Sequence, residues 1–242
     1  MNAFKIRCGR HLLNLNKRPY IMGILNVTPD SFSNGGHYLN INSAIEHARR
    51  MAAEGADIID IGGESSRPGS EPVPLEVEAE RVLPIIKALS KKINLPISID
   101  TYKAKVAREA LKTGASIIND ISGLRFDPLM AKERIAFAVK NGIKRNKIII
   151  DPGIGFGKTV RHNLEIIKRL SEFKKLGVPI LIGTSRKSFI GKILNATVDK
   201  RLEGTAAAVA ISIANGANIV RVHDVKTMAD VARITDAIIT AS

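Results

Sequence analysis

Short apolar runs recur along the chain, and each one stops at a residue that can do chemistry. "IMGIL" stops at Asn26, and "ADIIDIGGES" carries Asp60 and then Glu64. "LPISID" closes on Asp100, and "ASIINDISG" carries Asn119 and Asp120. "KIIID" ends on Asp151, "VPILIGTSRKS" leads to Ser185, Arg186 and Lys187, and "ANIVRVHD" carries Arg221, His223 and Asp224. Asp100 and Asp151 are acceptors, and Asn119 both donates and accepts. A flat heterocycle with a guanidine-like edge needs such a carboxylate for its paired donors and an amide to fix its orientation. Lys187, Arg221 and His223 are donors suited to an anion such as a phosphate or pyrophosphate. The Asn26 oxygen suits Mg²⁺, which keeps most of its waters and leans on phosphate oxygens. "GGESSRPGS" (62–70) adds two hydroxyls and Arg67 in a glycine-flanked loop, another anion-friendly arrangement.

Other chemistries find no support. "GIGFGK" (153–158) departs from the nucleotide-loop spacing, because Lys158 stands where the second glycine should be. His11, His37, His47 and His162 fall in expected loops or on helix faces, which leaves His223 at a strand end. No His/Cys/Glu spacing suggests zinc, and no nucleophile elbow is present. The set argues for binding an anionic, hydrogen-bond-rich molecule.

The elements that must carry these residues follow from periodicity. The runs are short, β-branched and bounded by Gly or Pro, as strands buried on both faces are. Helical patterns lie between most of them. Residues 43–54 have Ser43 as N-cap, with Ile45, Ala48 and Ala52 on one stripe. Val82, Ile85, Ile86 and Leu89 line 75–90, and Val106, Ala110 and Leu111 line 103–113. Leu164, Ile167, Leu170 and Phe173 line 162–176; further helices cover 200–215 and 227–240. Strand then helix, about every 35 residues, means parallel strands joined by crossovers. "FKIRCGRHLLNL" reads as a hairpin turning at Gly9. The expected fold is one α/β domain over 1–242, a (β/α) barrel whose strand ends converge on one face. Asn26 would then sit where a strand emerges into that mouth.

The 242 residues suit one barrel, and 45% hydrophobic content excludes wholesale disorder. No apolar run approaches the ~20 residues a bilayer requires, and the start lacks the apolar stretch of a secretory signal. Cys8 is the only cysteine, so no internal disulfide forms and a reducing cytoplasm fits. The net charge of +14 raises nucleic acid as a partner. Three Tyr, seven Phe and no Trp are few for base stacking, and the cations are dispersed. Attraction of small anions is the better reading of that charge.

Taken in order, "GILNVTPDSFS", "DIGGESSRPG", "SIDT", "IINDISG", "DPGIGFGK", "GTSRKSFIG" and "RVHDV" resemble the dihydropteroate synthases, across nearly the whole chain. The resemblance implies condensation of 6-hydroxymethyl-7,8-dihydropterin pyrophosphate with p-aminobenzoate, giving 7,8-dihydropteroate and pyrophosphate in folate biosynthesis. It implies that Asp100, Asn119, Asp151 and Lys187 hold the pterin, with Asp100 and Lys187 catalytic. Asn26, Ser66, Arg67, Arg221 and His223 would hold pyrophosphate, with Mg²⁺ on Asn26; Ser66 stands where the family usually has Thr. Thr28, Phe32, Arg67, Pro68, Phe156, Lys187 and Ser188 would line the p-aminobenzoate pocket, which sulfonamides also occupy. A homodimer is the family's usual state.

One departure is large. The family barrel has eight strands and this sequence shows seven. Between Asp120 and Asp151 stands one helical stretch, and Ala131 joins Lys132 where the fifth strand should intervene. A strand and most of two helices, roughly 35 residues by the βα period, are missing. Closure requires strand number, tilt and shear to agree, so the loss should leave two unpaired edges or force a seven-stranded closure. Two other readings stay open here: an inactive pterin-binding barrel, and the pterin domain of a methyltetrahydrofolate methyltransferase.

Overall fold

The computed structural model describes residues 4–28, 37–64, 71–120 and 128–241, with only the backbone of 37–40 and 128–131. It divides into two compact units, Met22–Ser122 and Met1–Ile21 with Gly123–Ser242. Each is described by itself.

In the first unit, parallel strands alternate with helices. They are β3 (Tyr20–Asn26), whose first two residues belong to the other unit, β4 (Ile58–Gly62), β5 (Ile97–Asp100) and β6 (Ile117–Asn119), in the order β6-β5-β4-β3. Helices α1 (His37–Ala53), α2 (Leu75–Lys92) and α3 (Ala104–Thr113) follow the first three of these strands, and α2 packs on both α1 and α3. β4 is buried throughout, as a strand covered on both faces must be. Val82, Ile85, Ile86 and Leu89 of α2 all face inward, as their spacing predicts.

The second unit opens with the hairpin β1 (Lys5–Cys8) and β2 (His11–Asn14), turning at Gly9 with φ +58°. His11 is therefore a strand residue, not a loop one. The hairpin packs against a 3-10 turn at Arg145–Lys147. Next come α4 (Pro128–Lys140), α5 (Val160–Lys168), β7 (Leu181–Ile182), α6 (Ser188–Leu194), α7 (Leu202–Ala214), β8 (Ile219–Val222) and α8 (Val225–Thr240). β7 pairs with β8 in parallel. The Asn218 side chain ties this unit together: its oxygen accepts from Ile180 N–H and its amide donates to Leu15 O.

Several expected details are corrected. Ser43 is not a cap; α1 already begins at His37, so Ser43 lies inside it. Leu111 is 43% exposed, because the inward stripe of α3 is Val106, Ala107 and Ala110, and Leu111 lies about 100° further round. The 162–176 segment is two elements, α5 and a 3-10 stretch Leu170–Leu176. Its inward stripe is Asn163, Ile166 and Ile167, which turns Leu164 out to 46% exposure.

No strand lies between Asn119 and Ile150 among the described residues, as the missing segment predicts. The seventh expected strand, at "KIIID", contracts to one parallel bridge, Ile150 to Ile180. It is fastened by Ile150 N–H to Pro179 O and Leu181 N–H to Ile150 O. Ile150 pairs on one side only among the described residues, and β6 likewise pairs only with β5. A ladder fed from one side supplies half the backbone bonds of an interior strand, which accounts for the short bridge. Ile118 of β6 is 47% exposed, whereas β3 and β4 bury their apolar residues.

Candidate active site

In the first unit, strand register aligns the polar ends. Asn26 lies opposite Gly62, Gly62 opposite Asp100, and Asp100 opposite Asn119. These four residues form one row across the C-terminal ends of four parallel strands. Gly62 leaves the row open: a Cβ there would come within 3.8 Å of Asn26 Oδ1 and of Asp100 Oδ2. The Asn119 amide is oriented from below, its Nδ2 donating to Asp60 Oδ2 at 3.0 Å. Asp60 is wholly buried, so this bond fixes the amide on a rigid partner. Thr28 follows β3 and is half-buried.

Behind the row sits an ion cluster that sequence reading missed. Lys103 binds both Glu64 and Glu78. Glu64 also accepts from Tyr102 O–H at 3.0 Å and from Val73 N–H at 3.3 Å. Burial opposes ionisation of Glu64, but the Lys103, Tyr102 and Val73 hydrogen bonds outweigh it and hold its pKa below the usual value. Burial likewise opposes the Lys103 charge, and the two carboxylates raise its pKa well above normal. The partners are 39 and 25 residues from Lys103, so no local spacing announces them.

The second unit holds the cationic set. Arg186 takes a left-handed conformation, φ +55°, which a non-glycine residue adopts only when held. It is held on three sides. Its N–H donates to Thr205 Oγ1, its guanidinium grips Asp224 in bidentate fashion, and Arg201 donates to its carbonyl at 3.0 Å. This fixes the turn that presents Ser185 and Lys187. Ser185 Oγ lies 2.9 Å from His223 Nδ1 and accepts from His223 N–H at 3.2 Å. A hydroxyl has one proton and two lone pairs, so Ser185 seats the ring at Nδ1 in either neutral tautomer. Burial lowers the His223 pKa to about 4, with Arg221 and Arg186 pressing the same way. Arg221 lies on β8, and a Cβ on Gly183 would meet its Cβ at 3.8 Å.

Asp151 Oδ1 accepts from Gly153 N–H at 2.8 Å. Burial pushes its carboxyl up, while that hydrogen bond, Lys187, Arg221 and Lys158 work against the rise. Asp151 opens the 153–158 loop. Here Gly153, Gly155 and Gly157 all have positive φ, and Lys158 Nζ donates to Gly153 O and Phe156 O. The Lys187 ammonium stands 4.2 Å from the centre of the Phe156 ring, a cation–π contact. Ser188 opens α6 and is exposed. Ser66, Arg67, Pro68 and Phe32 lie outside the described residues. No cluster of three His, Cys, Asp or Glu fit to hold a metal occurs among the described residues.

A family model described as pterin binding enzyme matches residues 22–134 and 129–223. Dihydropteroate synthase of Clostridium beijerinckii is 46% identical over 97% of this chain and 99% of its own. That of Bacillus subtilis (strain 168) is 45% identical over 94% of this chain and 91% of its own. A solved Xanthomonas albilineans dihydropteroate synthase with 4-aminobenzoic acid superposes with a TM-score of 0.93, covering 100% of both chains at 36% identity. Yersinia pestis dihydropteroate synthase, solved with a sulfonamide drug complex, gives 0.89 at 37% identity, over 98% of this chain and 100% of its own. The chain belongs to the pterin-binding enzyme family, in its dihydropteroate synthase branch. Its fold class is the α/β barrel of that family. The two family matches overlap at 129–134, where the sequence lacks its fifth strand. The Bacillus alignment runs over 259 positions, more than the 242 residues here, so the relative carries residues with no counterpart in this chain.

Proposed function

We infer that this chain works as a dihydropteroate synthase, a transferase that joins 6-hydroxymethyl-7,8-dihydropterin pyrophosphate to p-aminobenzoate and releases pyrophosphate. The observation that carries this reading is the in-register row Asn26, Gly62, Asp100 and Asn119. It offers a carboxylate and an oriented amide side by side, the pair a pterin's guanidine-like edge requires. Asp151 and Lys187 complete the pterin set. Breaking the C–O bond to pyrophosphate leaves a methylene cation conjugated with the ring, and the Asp100 carboxylate stabilises that charge. The nitrogen lone pair of p-aminobenzoate forms the new C–N bond and then sheds a proton. An aniline-type amine is neutral at pH 7, so no strong base is needed.

Arg221 and His223 suit the departing pyrophosphate, joined by Ser66 and Arg67. Asn26 supplies a single amide oxygen, which fits a Mg²⁺ that arrives with phosphate ligands rather than one caged by protein. Bound there, the ion neutralises charge on the leaving group. Phe156, Lys187 and Ser188, with Thr28, Phe32, Arg67 and Pro68, take p-aminobenzoate, and sulfonamides compete for the same place. The relatives' match over 94–97% of the chain supports residues 1–242 as a single domain. Exposed Ile211 on α7 and Ile234 and Ile238 on α8 support a homodimer. The lone, buried Cys8 suits the cytoplasm.

The test is pyrophosphate release with both substrates and Mg²⁺. Turnover that requires both substrates supports the reading. Pterin binding without turnover refutes it in favour of an inactive binding barrel, in keeping with the strand region absent between residues 131 and 132.

A further inference from the structure

Asn163 is 1% exposed on α5, in the inward place an apolar residue would normally take, while Leu164 beside it faces solvent. Its Oδ1 accepts from Gly155 N–H at 2.7 Å, and its Nδ2 donates to Thr159 O at 2.8 Å. Both polar atoms are satisfied, so the amide sits inside without an orphaned group. The helix does not need it as a cap. Thr159 already caps α5, its Oγ1 accepting from His162 N–H at 3.2 Å. The bond to Gly155 reaches eight residues back, out of the helix and into the glycine loop.

That loop holds a ring and a cation in contact. Gly155 has φ +88°, and a Cβ there would come 3.0 Å from Lys187 Cδ. The missing side chain thus opens the channel along which the Lys187 stem runs. The next residue, Phe156, puts its ring 4.2 Å from the Lys187 ammonium. A lysine has a flexible four-carbon stem, and glycine is the most permissive of residues. Without an anchor, a segment with glycines at 153, 155 and 157 would not hold a ring in one place. Lys158 grips the carbonyls of Gly153 and Phe156, and Asn163 grips the peptide between them.

We propose that Asn163 is a positioning residue for the transfer: by fixing the Ile154–Gly155 peptide, directly before Phe156, it seats the Phe156 ring against Lys187 and so aims the ammonium that p-aminobenzoate meets. The role in transfer rests on the synthase reading; the anchoring of the loop does not.

Two variants and two readouts test it. Asn163→Leu keeps size but removes both hydrogen bonds, and Asn163→Asp keeps the acceptor for Gly155. Hydrogen exchange at the Gly155 amide is expected to rise about tenfold in Asn163→Leu and to stay near wild type in Asn163→Asp. Unchanged exchange in a folded Asn163→Leu overturns the anchoring, whether or not the wild type turns over. If Asn163→Leu does not fold, fast Gly155 exchange in a folded Asn163→Asp overturns it instead. In the assay, Asn163→Leu should raise the KM for p-aminobenzoate about tenfold. On a Phe156→Leu background the same change should add less than about twofold, because the two act through one ring. Independent, multiplying effects overturn the route through Phe156. A wild type that makes no dihydropteroate, with slow Gly155 exchange intact, refutes the synthase reading and leaves the anchor standing.

Discussion

Lys103→Met is the sharpest probe of the fold beneath the row. Met keeps the length and apolar stem of Lys and removes only the charge. Glu78 is 1% exposed, and its Oε1 has no hydrogen-bond partner among the described residues. Lys103 is therefore the cation that makes its burial tolerable. Glu64 keeps Tyr102 and Val73 when Lys103 is lost, so Glu78 sets the cost. Removing one partner of a buried ion pair costs about 3–5 kcal/mol. In a chain of this size each kcal/mol moves Tm by about 2–4 °C, so a fall of about 10 °C is expected by thermal unfolding. Adding Glu78→Gln removes the stranded charge and should restore about half of the loss. Glu64 has a lowered folded pKa, so its contribution is present above its ordinary value and is lost as pH falls through the folded one. Lys103 has a raised folded pKa, so its contribution is complete below its ordinary value and is lost only as pH rises through the folded one. The gap between wild type and variant should therefore close in acid, where Glu64 takes up a proton. A Tm within 2 °C of wild type, or a gap that widens in acid, refutes the reasoning.

Other substitutions address the chemistry. Lys187→Ala should raise the requirement for pterin and cut turnover, because the ammonium serves both substrates; activity within about twofold of wild type would remove Lys187 from that role. Asp100→Asn should leave Tm nearly unchanged and abolish most turnover, since an amide cannot stabilise a cation as a carboxylate does; unchanged rates would strip Asp100 of its function. His223, with a folded pKa of about 4 against 6.5 unfolded, takes up a proton on unfolding between those values. Stability should therefore fall as pH drops from 6.5 toward 4, by at most about 3 kcal/mol. His223→Gln should flatten that slope, and a slope that persists would assign it to other groups.

The row of strand ends was legible because each carrying strand is short, apolar and closed by a polar residue. Parallel pairing then does the alignment, as Asp100 opposite Asn119 illustrates. Helix faces were less legible. In α5 both Leu164 with Ile167 and Ile166 with Ile167 make an apolar stripe, and the bond from Asn163 to Gly155 decides between them. Ser43 has the chemistry of a cap but not its position, because α1 begins upstream. The Lys103 cluster was invisible for another reason. Its members meet only after β4, α2 and α3 have packed, and nothing in their spacing encodes that.

The junction at 129–134 also says something about how such a chain can be edited. Among the described residues β6 has one edge that a further strand could extend, and its own Ile118 lies half open to water. A strand–helix cassette borrowed from a longer relative and spliced in after Asn119 would meet backbone groups ready to receive it. Unpaired among the described residues, that margin would also be the first place where crowded copies stick together.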